Sequence, residues 1–169
     1  PQAMALGPGG NLYLSSYNND RVLRYDSTTG AFLGVFIAEG NGGLDGPSHL
    51  RFRKGSLLLV SAGTDAILEY DGVTGAFLRA LVPPRAAGLD YPHYMQFRAN
   101  VLYIAGKFNN RILKFDADTG AFLGVLVPPG AGGLNGPRGL LIMPTATCTR
   151  RIGTVNQLVP PAGANAKSR

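Results

Sequence analysis

Few side chains in this sequence could do acid–base or metal chemistry. There are two histidines, His49 and His93, one cysteine, Cys148, and ten carboxylates, of which only Glu39 and Glu69 are glutamates. A histidine titrates close to neutral pH and can serve as a general base, so His49 and His93 are the weak catalytic candidates, and no catalytic residue is assigned. A catalytic metal needs about three protein ligands in fixed geometry. No spacing of His, Asp and Glu in the sequence assembles such a set, so no metal ligand is assigned. One cysteine excludes an internal disulfide framework and a cysteine-rich zinc site. No serine stands in a Gly-x-Ser-x-Gly elbow, which leaves nucleophilic catalysis without a candidate.

The elements that must position these residues are set by an internal repeat. Thr-Gly-Ala-Phe-Leu occurs at 29–33, 74–78 and 119–123, a step of 45 each time. Gly-Leu-Asp-Gly-Pro at 43–47 returns as Gly-Leu-Asp-Tyr-Pro at 88–92 and Gly-Leu-Asn-Gly-Pro at 133–137. Leu12-Tyr13-Leu14 and Val22-Leu23-Arg24-Tyr25-Asp26 recur at the same step. Four motifs in one register over three copies define three repeat units, about 1–46, 47–91 and 92–136, with the start of a fourth at 137–142.

Each unit holds four short apolar runs bounded by turn residues. In the middle copy they fall at 49–52, 57–62, 66–71 and 77–82. These lengths suit strands, and no longer run carries a helical period. Asp71-Gly72-Val73-Thr74-Gly75 predicts a hairpin turn, with the Asp carboxylate accepting backbone N–H bonds and Gly75 at positive φ. Pro83-Pro84 and Pro128-Pro129 end the fourth run, since proline cannot donate to a ladder. The expected fold class is therefore all-β: a β-propeller of three four-stranded blades of 45-residue period plus the start of a fourth, an incomplete ring. The alternative is a flat solenoid or a sandwich of duplicated hairpins. Runs apolar on both faces, such as 122–127, fit blades stacked against one another.

The pattern Gly-Leu-Asp-Gly-Pro, then Gly-Asn-Leu-Tyr at 10–13, then Asn-Asn-Arg-Ile-Leu-Lys-Phe-Asp at 109–116, resembles the NHL-repeat propellers. It is similar also to the gluconolactonase-like and virginiamycin-lyase-like propellers. The resemblance covers residues 1–142 and implies a parent ring of about six or seven blades. It also implies two kinds of enzyme: a lactonase-like hydrolase with a divalent metal in the full-length parent, or a lyase with an axial histidine as base. No glutamate and asparagine set matching the hydrolase ligands is found here, so no cofactor is assigned to this chain.

In a ring, the first strand of each blade lies beside the axis. The residues after each repeat proline then converge: Ser48 and His49, His93 and Tyr94, Arg138 and Gly139. The loops between second and third strands add Asn18-Asn19-Asp20, Thr64-Asp65 and Asn109-Asn110. The ligand-binding candidates are Ser48, His49, His93, Tyr94, Arg138, Asn19, Asp65 and Asn109. The Asn and Asp loops are also explained by hairpin geometry alone. Arg21 and Arg111 are expected to stack on Tyr or Phe, and Glu69, in the place of Arg24 and Lys114, to lie on a solvated face. Enzymes built on repeats break the repeat at the site. The likeness of the copies therefore favours a non-catalytic scaffold that binds an unidentified protein or small molecule on its axial face.

The net charge is +6, but residues 1–142 hold 12 basic and all 10 acidic residues. The excess is Arg150, Arg151, Lys167 and Arg169, so a nucleic-acid face is not expected. No apolar run is long enough for a membrane-spanning helix. Bare outer blade faces predict self-association. The chain starts at Pro1 without a signal-like stretch, so the true N-terminus is expected to lie upstream; localisation is not fixed, with an extracytoplasmic parent favoured. Residues 143–149 match nothing earlier, yet their codons read in a shifted frame can spell Ala-Asp-Gly-Asn-Leu-Tyr in the expected register. We therefore expect a frame shift after Ile142 and an irregular basic tail over 143–169; a natural divergent tail is the alternative.

Overall fold

Where apolar and polar residues alternate between Gly- and Asp-rich turns, the backbone forms strands. The computed structural model describes residues 1–142, and the expectations for 143–169 lie outside the described residues. Three sheets are present, each a simple antiparallel meander. The first contains β1 (Met4–Leu6), β2 (Leu12–Ser16), β3 (Arg21–Tyr25) and β4 (Phe32–Ile37). The second contains β5 (Pro47–Arg53), β6 (Ser56–Ser61), β7 (Ala66–Asp71) and β8 (Phe77–Val82). The third contains β9 (Pro92–Arg98), β10 (Val101–Gly106), β11 (Arg111–Asp116) and β12 (Phe122–Val127). The fold is an incomplete β-propeller. β7 and β8 fall where the apolar runs place them. β5 and β6 differ by one or two residues at their ends, because ladder pairing decides where a strand stops: Ser56 is opposite both Arg53 and Asp71.

The core lies between the sheets. Leu57 and Leu59 of β6 pack toward the first sheet with Tyr13, Val22, Ile37 and Tyr70. Leu58 and Val60, on the other side of the same strand, pack toward the third sheet with Met95, Leu102, Ile104 and Phe115. Side chains of a strand alternate between faces, so a run of consecutive apolar residues is what a sheet covered on both sides requires. In the first sheet only alternate residues of β2, Tyr13 and Ser15, are buried, since one face alone is covered.

Repeated polar residues build the turns within each sheet. Asp26, Asp71 and Asp116 each accept backbone N–H bonds from the residues two and three positions on, and a hydroxyl bond from Thr29, Thr74 or Thr119 at 2.8–2.9 Å. These bonds, led by the backbone N–H of the threonine, hold each carboxyl below its usual range. Gly75 and Gly120 close two of these turns at φ of 75° and 74°, and a Cβ there would collide with the carbonyl oxygen of Phe36 or Leu81 on the fourth strand of the preceding sheet. Gly30 has the same φ of 75° but nothing within 4 Å of the equivalent position.

A second device recurs in the loops between second and third strands. Asp20, Asp65 and Asn110 adopt left-handed backbone (φ 49°, 56° and 53°). Their Oδ1 atoms accept the backbone N–H of Gly46, Tyr91 and Gly136 at 2.7, 2.7 and 2.6 Å. Each bond pins the segment leading into the next unit. Residues 137–142 follow the third such bond but carry no assigned strand.

Two surface expectations are corrected. Glu69 is not on a solvated face: its side chain is 16% exposed and pairs with Arg79 at 2.8 Å, because the neighbouring fourth strand brings that guanidinium opposite it. Arg21 pairs with Glu39 at 3.2 Å, and neither it nor Arg111 stacks on a ring. The cation–π contacts fall instead to Arg53 over Phe97 and Lys107 over Tyr91 and Phe108.

The turn contact separates two contributions to stability. Gly30→Val carries only the strain of a β-branched residue at positive φ, about 1–2 kcal/mol. Gly75→Val adds the collision with the Phe36 carbonyl. In urea denaturation, Gly75→Val is expected to lose at least about 1 kcal/mol more than Gly30→Val; equal losses would remove the turn from the inter-sheet contact.

Candidate functional site

β1 packs beside β5, and β5 beside β9, so the first strands line the inner edge of the three sheets. At the start of β5 and β9 the ladder is irregular. Pro47 pairs with Ser61 and His49 with Val60, leaving Ser48 as the extra residue. Pro92 pairs with Gly106 and Tyr94 with Ala105, leaving His93 as the extra one. A bulge re-aims side chains that strict alternation would send to opposite faces. Here it lets Ser48 and His49, and likewise His93 and Tyr94, line one hollow.

That hollow is a cavity of about 390 Å³ lined by Gln2, Ala3, Met4, Ser48, His49, Arg51, His93, Tyr94 and Arg138. Ser48 Oγ donates to the Pro92 carbonyl at 3.3 Å, tying the start of β5 to the start of β9. His93 Nδ1 lies 3.0 Å from the Arg138 carbonyl. A carbonyl oxygen only accepts, so this bond puts the proton on Nδ1 and leaves Nε2 with a lone pair in the neutral ring. His49 stacks on Tyr94 with ring centroids 3.9 Å apart and is 7% exposed. Its Nδ1 is buried without a hydrogen-bond partner among the described residues. Burial, reinforced by the positive charges of Arg51 and His93, pushes the His49 pKa down to about 4. His49 is thus a neutral ring at pH 7.

Five of the eight sequence-derived ligand candidates, Ser48, His49, His93, Tyr94 and Arg138, meet at this cavity. The other three do not. Asn19 lies by a separate hollow with Pro1, Gln2 and Tyr17. Asp65 is committed to the Tyr91 N–H and to Arg85 at 3.2 Å. Asn109 donates to the Gly88 carbonyl at 2.6 Å. These loops stand at the same end of the sheets, where the Tyr17 and Tyr91 hydroxyls bond to each other. That bond, with burial, raises the Tyr17 pKa to about 12. Among the described residues no three His, Cys, Asp or Glu side chains are grouped as a metal site.

Sequence reasoning missed Gln2 and Arg51. The signal for Gln2 was present but offset. The β1–β2 turn is one residue longer than its counterparts, so the first strand of the first unit is 46, not 45, residues ahead of the next. The ladder shows the shift: Met4 is opposite Leu14, just as Leu50 is opposite Leu59. Pro1 then matches Pro47, Pro92 and Pro137, and Gln2 matches Ser48, His93 and Arg138. One position of the repeat thus carries four different polar residues, all on one cavity.

No protein-family model matches this chain, and no curated protein matches it in sequence. Solved structures do match in fold. Hydrazine synthase of Kuenenia stuttgartiensis superposes with a TM-score of 0.63 at 18% identity, over 82% of this chain and 37% of that one. Virginiamycin B lyase of Staphylococcus aureus, a catalytically inactive histidine-to-alanine variant with quinupristin, gives 0.58 at 14% identity, over 77% and 42%. Glutaminyl cyclase of Myxococcus xanthus gives 0.56 at 17% identity, over 75% and 52%. This chain spans about half the length of these proteins or less, and the likeness is one of β-propeller fold.

The buried neutral His49 has a consequence for pH. Its folded pKa of about 4 lies below its unfolded value, so the unfolded chain binds the proton more readily between the two. Stability is full above about pH 6.5 and falls by up to about 3 kcal/mol as pH drops toward 4. The expected NMR titration midpoint of His49 is about 4; a midpoint near 6.5 would mean the ring is solvated.

Proposed function

We propose that this chain is part of an NHL-like propeller, with blades at 1–46, 47–91 and 92–136, that binds a small molecule or a protein segment on its axial face without chemistry of its own. The observation that carries the reading is the variable ring. Gln2, Ser48, His93 and Arg138 occupy one position of a repeat whose turn and loop Asp and Asn positions are spent on building the fold. Copies that agree wherever structure needs them to agree, and differ around one cavity, are what a binding face on a repeat scaffold requires. A further part of the reading is self-association. Met4 and Leu6 of the first sheet are 68% and 67% exposed, an apolar face that a neighbouring blade would cover.

A second reading is a histidine-dependent lyase. It is favoured by the tautomer of His93, whose Nδ1 bond to the Arg138 carbonyl leaves Nε2 free to accept a proton at the cavity wall. His49 is the weaker base of the two candidates because its pKa is depressed and its Nδ1 is buried.

One experiment addresses both. The ¹⁵N-labelled chain is screened against small neutral and charged fragments, and quinupristin incubated with the chain is followed by chromatography. Amide shifts clustered at Gln2, Ser48, His93, Tyr94 and Arg138, with unchanged quinupristin, are expected for a binding face. A new quinupristin product that disappears with His93→Ala would favour the lyase; shifts scattered away from the cavity would remove the axial site.

A further inference from the structure

Charge around the axial cavity has one sign. Arg51 and Arg138 carry it, beside the His49 and His93 rings, and no Asp or Glu among the described residues lines the cavity. The described part of the chain is otherwise close to balanced, with 12 basic and 10 acidic residues. Several other surface cations pair with acids: Arg21 with Glu39, Arg53 and Lys54 with Asp118, Arg79 with Glu69 and Arg85 with Asp65. The Arg51 and Arg138 guanidiniums take part in no ion pair among the described residues. Two guanidiniums facing one concavity repel each other, and an anion placed between them relieves that repulsion.

A second observation is independent of charge. His49, 7% exposed and set in the cavity wall, has a buried Nδ1 with no hydrogen-bond partner among the described residues. Buried polar atoms in native proteins are almost always paired, so an orphan nitrogen beside a hollow marks a place that a ligand or its bound water completes. The Gln2 amide and the Ser48 and Tyr94 hydroxyls add neutral hydrogen-bonding groups to the same wall. At about 390 Å³ the space is at the small end of ligand cavities.

We infer that the axial cavity binds a small organic anion, held through carboxylate or phosphate oxygens by Arg51 and Arg138. This rests on the axial-face reading above. Guanidiniums suit both groups because their planar fork donates two parallel bonds to a pair of oxygens. The open mouth leaves the remainder of the ligand in contact with Gln2, Met4 and the Tyr94 ring.

The test is calorimetric titration of the full chain at low salt with citrate, with inorganic phosphate and with glucose as a neutral probe. The same additions are mapped on ¹⁵N spectra. Citrate or phosphate is expected to saturate a site whose amide shifts include Ser48, His93 and Arg138. Arg51→Gln and Arg138→Gln, both exposed and expected to fold, should each weaken binding about tenfold or more. Lys114→Gln, which lines no part of the cavity, should leave it unchanged. Affinity should also fall as sodium chloride is added. Absence of saturation by citrate and phosphate up to about 10 mM would overturn the inference. So would binding indifferent to both arginine substitutions. If glucose or the neutral fragments shift the cavity amides while the anions do not, the anion assignment fails and the axial face stands. If no probe shifts them, both fail.

Discussion

Everything in this structure depends on the face-to-face packing of sheets. The middle sheet is apolar on both sides because both sides are covered, Leu57 and Leu59 by the first sheet and Leu58 and Val60 by the third. Burying side chains of this size is worth about 1.5–3 kcal/mol each, more than any surface ion pair in the chain contributes. The outer edges tell the same story from the other side: the fourth strands leave Phe32, Phe77, Phe122 and Leu123 partly open, since no strand follows them in their sheets. With the packing fixed, the turns at Gly75 and Gly120 fit against the strand behind them with room for only a hydrogen atom on the glycine.

Two polar devices recur, one that shapes each turn and one that ties each unit to the segment leading into the next, and both are made of residues that could be mistaken for a site. The carboxylates at 26, 71 and 116 are saturated by turn N–H groups and a threonine hydroxyl. The loop residues at 20, 65 and 110 hold the segment leading to the next first strand. With those groups occupied, a cluster of polar residues at the inner edge is left facing a cavity. There the bulges at Ser48 and His93 turn neighbouring side chains toward one cavity.

The four-stranded units, their order and most strand limits were legible in the sequence, because a 45-residue period repeated three times states the same structure three times. The convergence of Ser48, His49, His93, Tyr94 and Arg138 was legible too, since a repeat proline marks the start of each first strand. Gln2 was hidden by one extra turn residue, which moves its strand out of the register that every other motif keeps. Arg51 was hidden because its neighbourhood is made by another strand. The assignments of Glu69 and Arg21 failed for the same reason: whether a charged side chain is solvated or paired is decided by what lies opposite it, and period says nothing of that.

By itself, then, the sequence determined an all-β repeat of stacked meanders, since side-chain alternation, turn chemistry and chain period are local properties. Tertiary structure alone decided which polar residues build the fold and which are left to a ligand. It placed Asp65 against a backbone N–H, left His49 Nδ1 unpaired, and set two arginines without an acid around one cavity. Those outcomes depend on contacts between residues 26 or more positions apart in the sequence, where the hydrogen bond and the neighbouring ring come from another part of the chain.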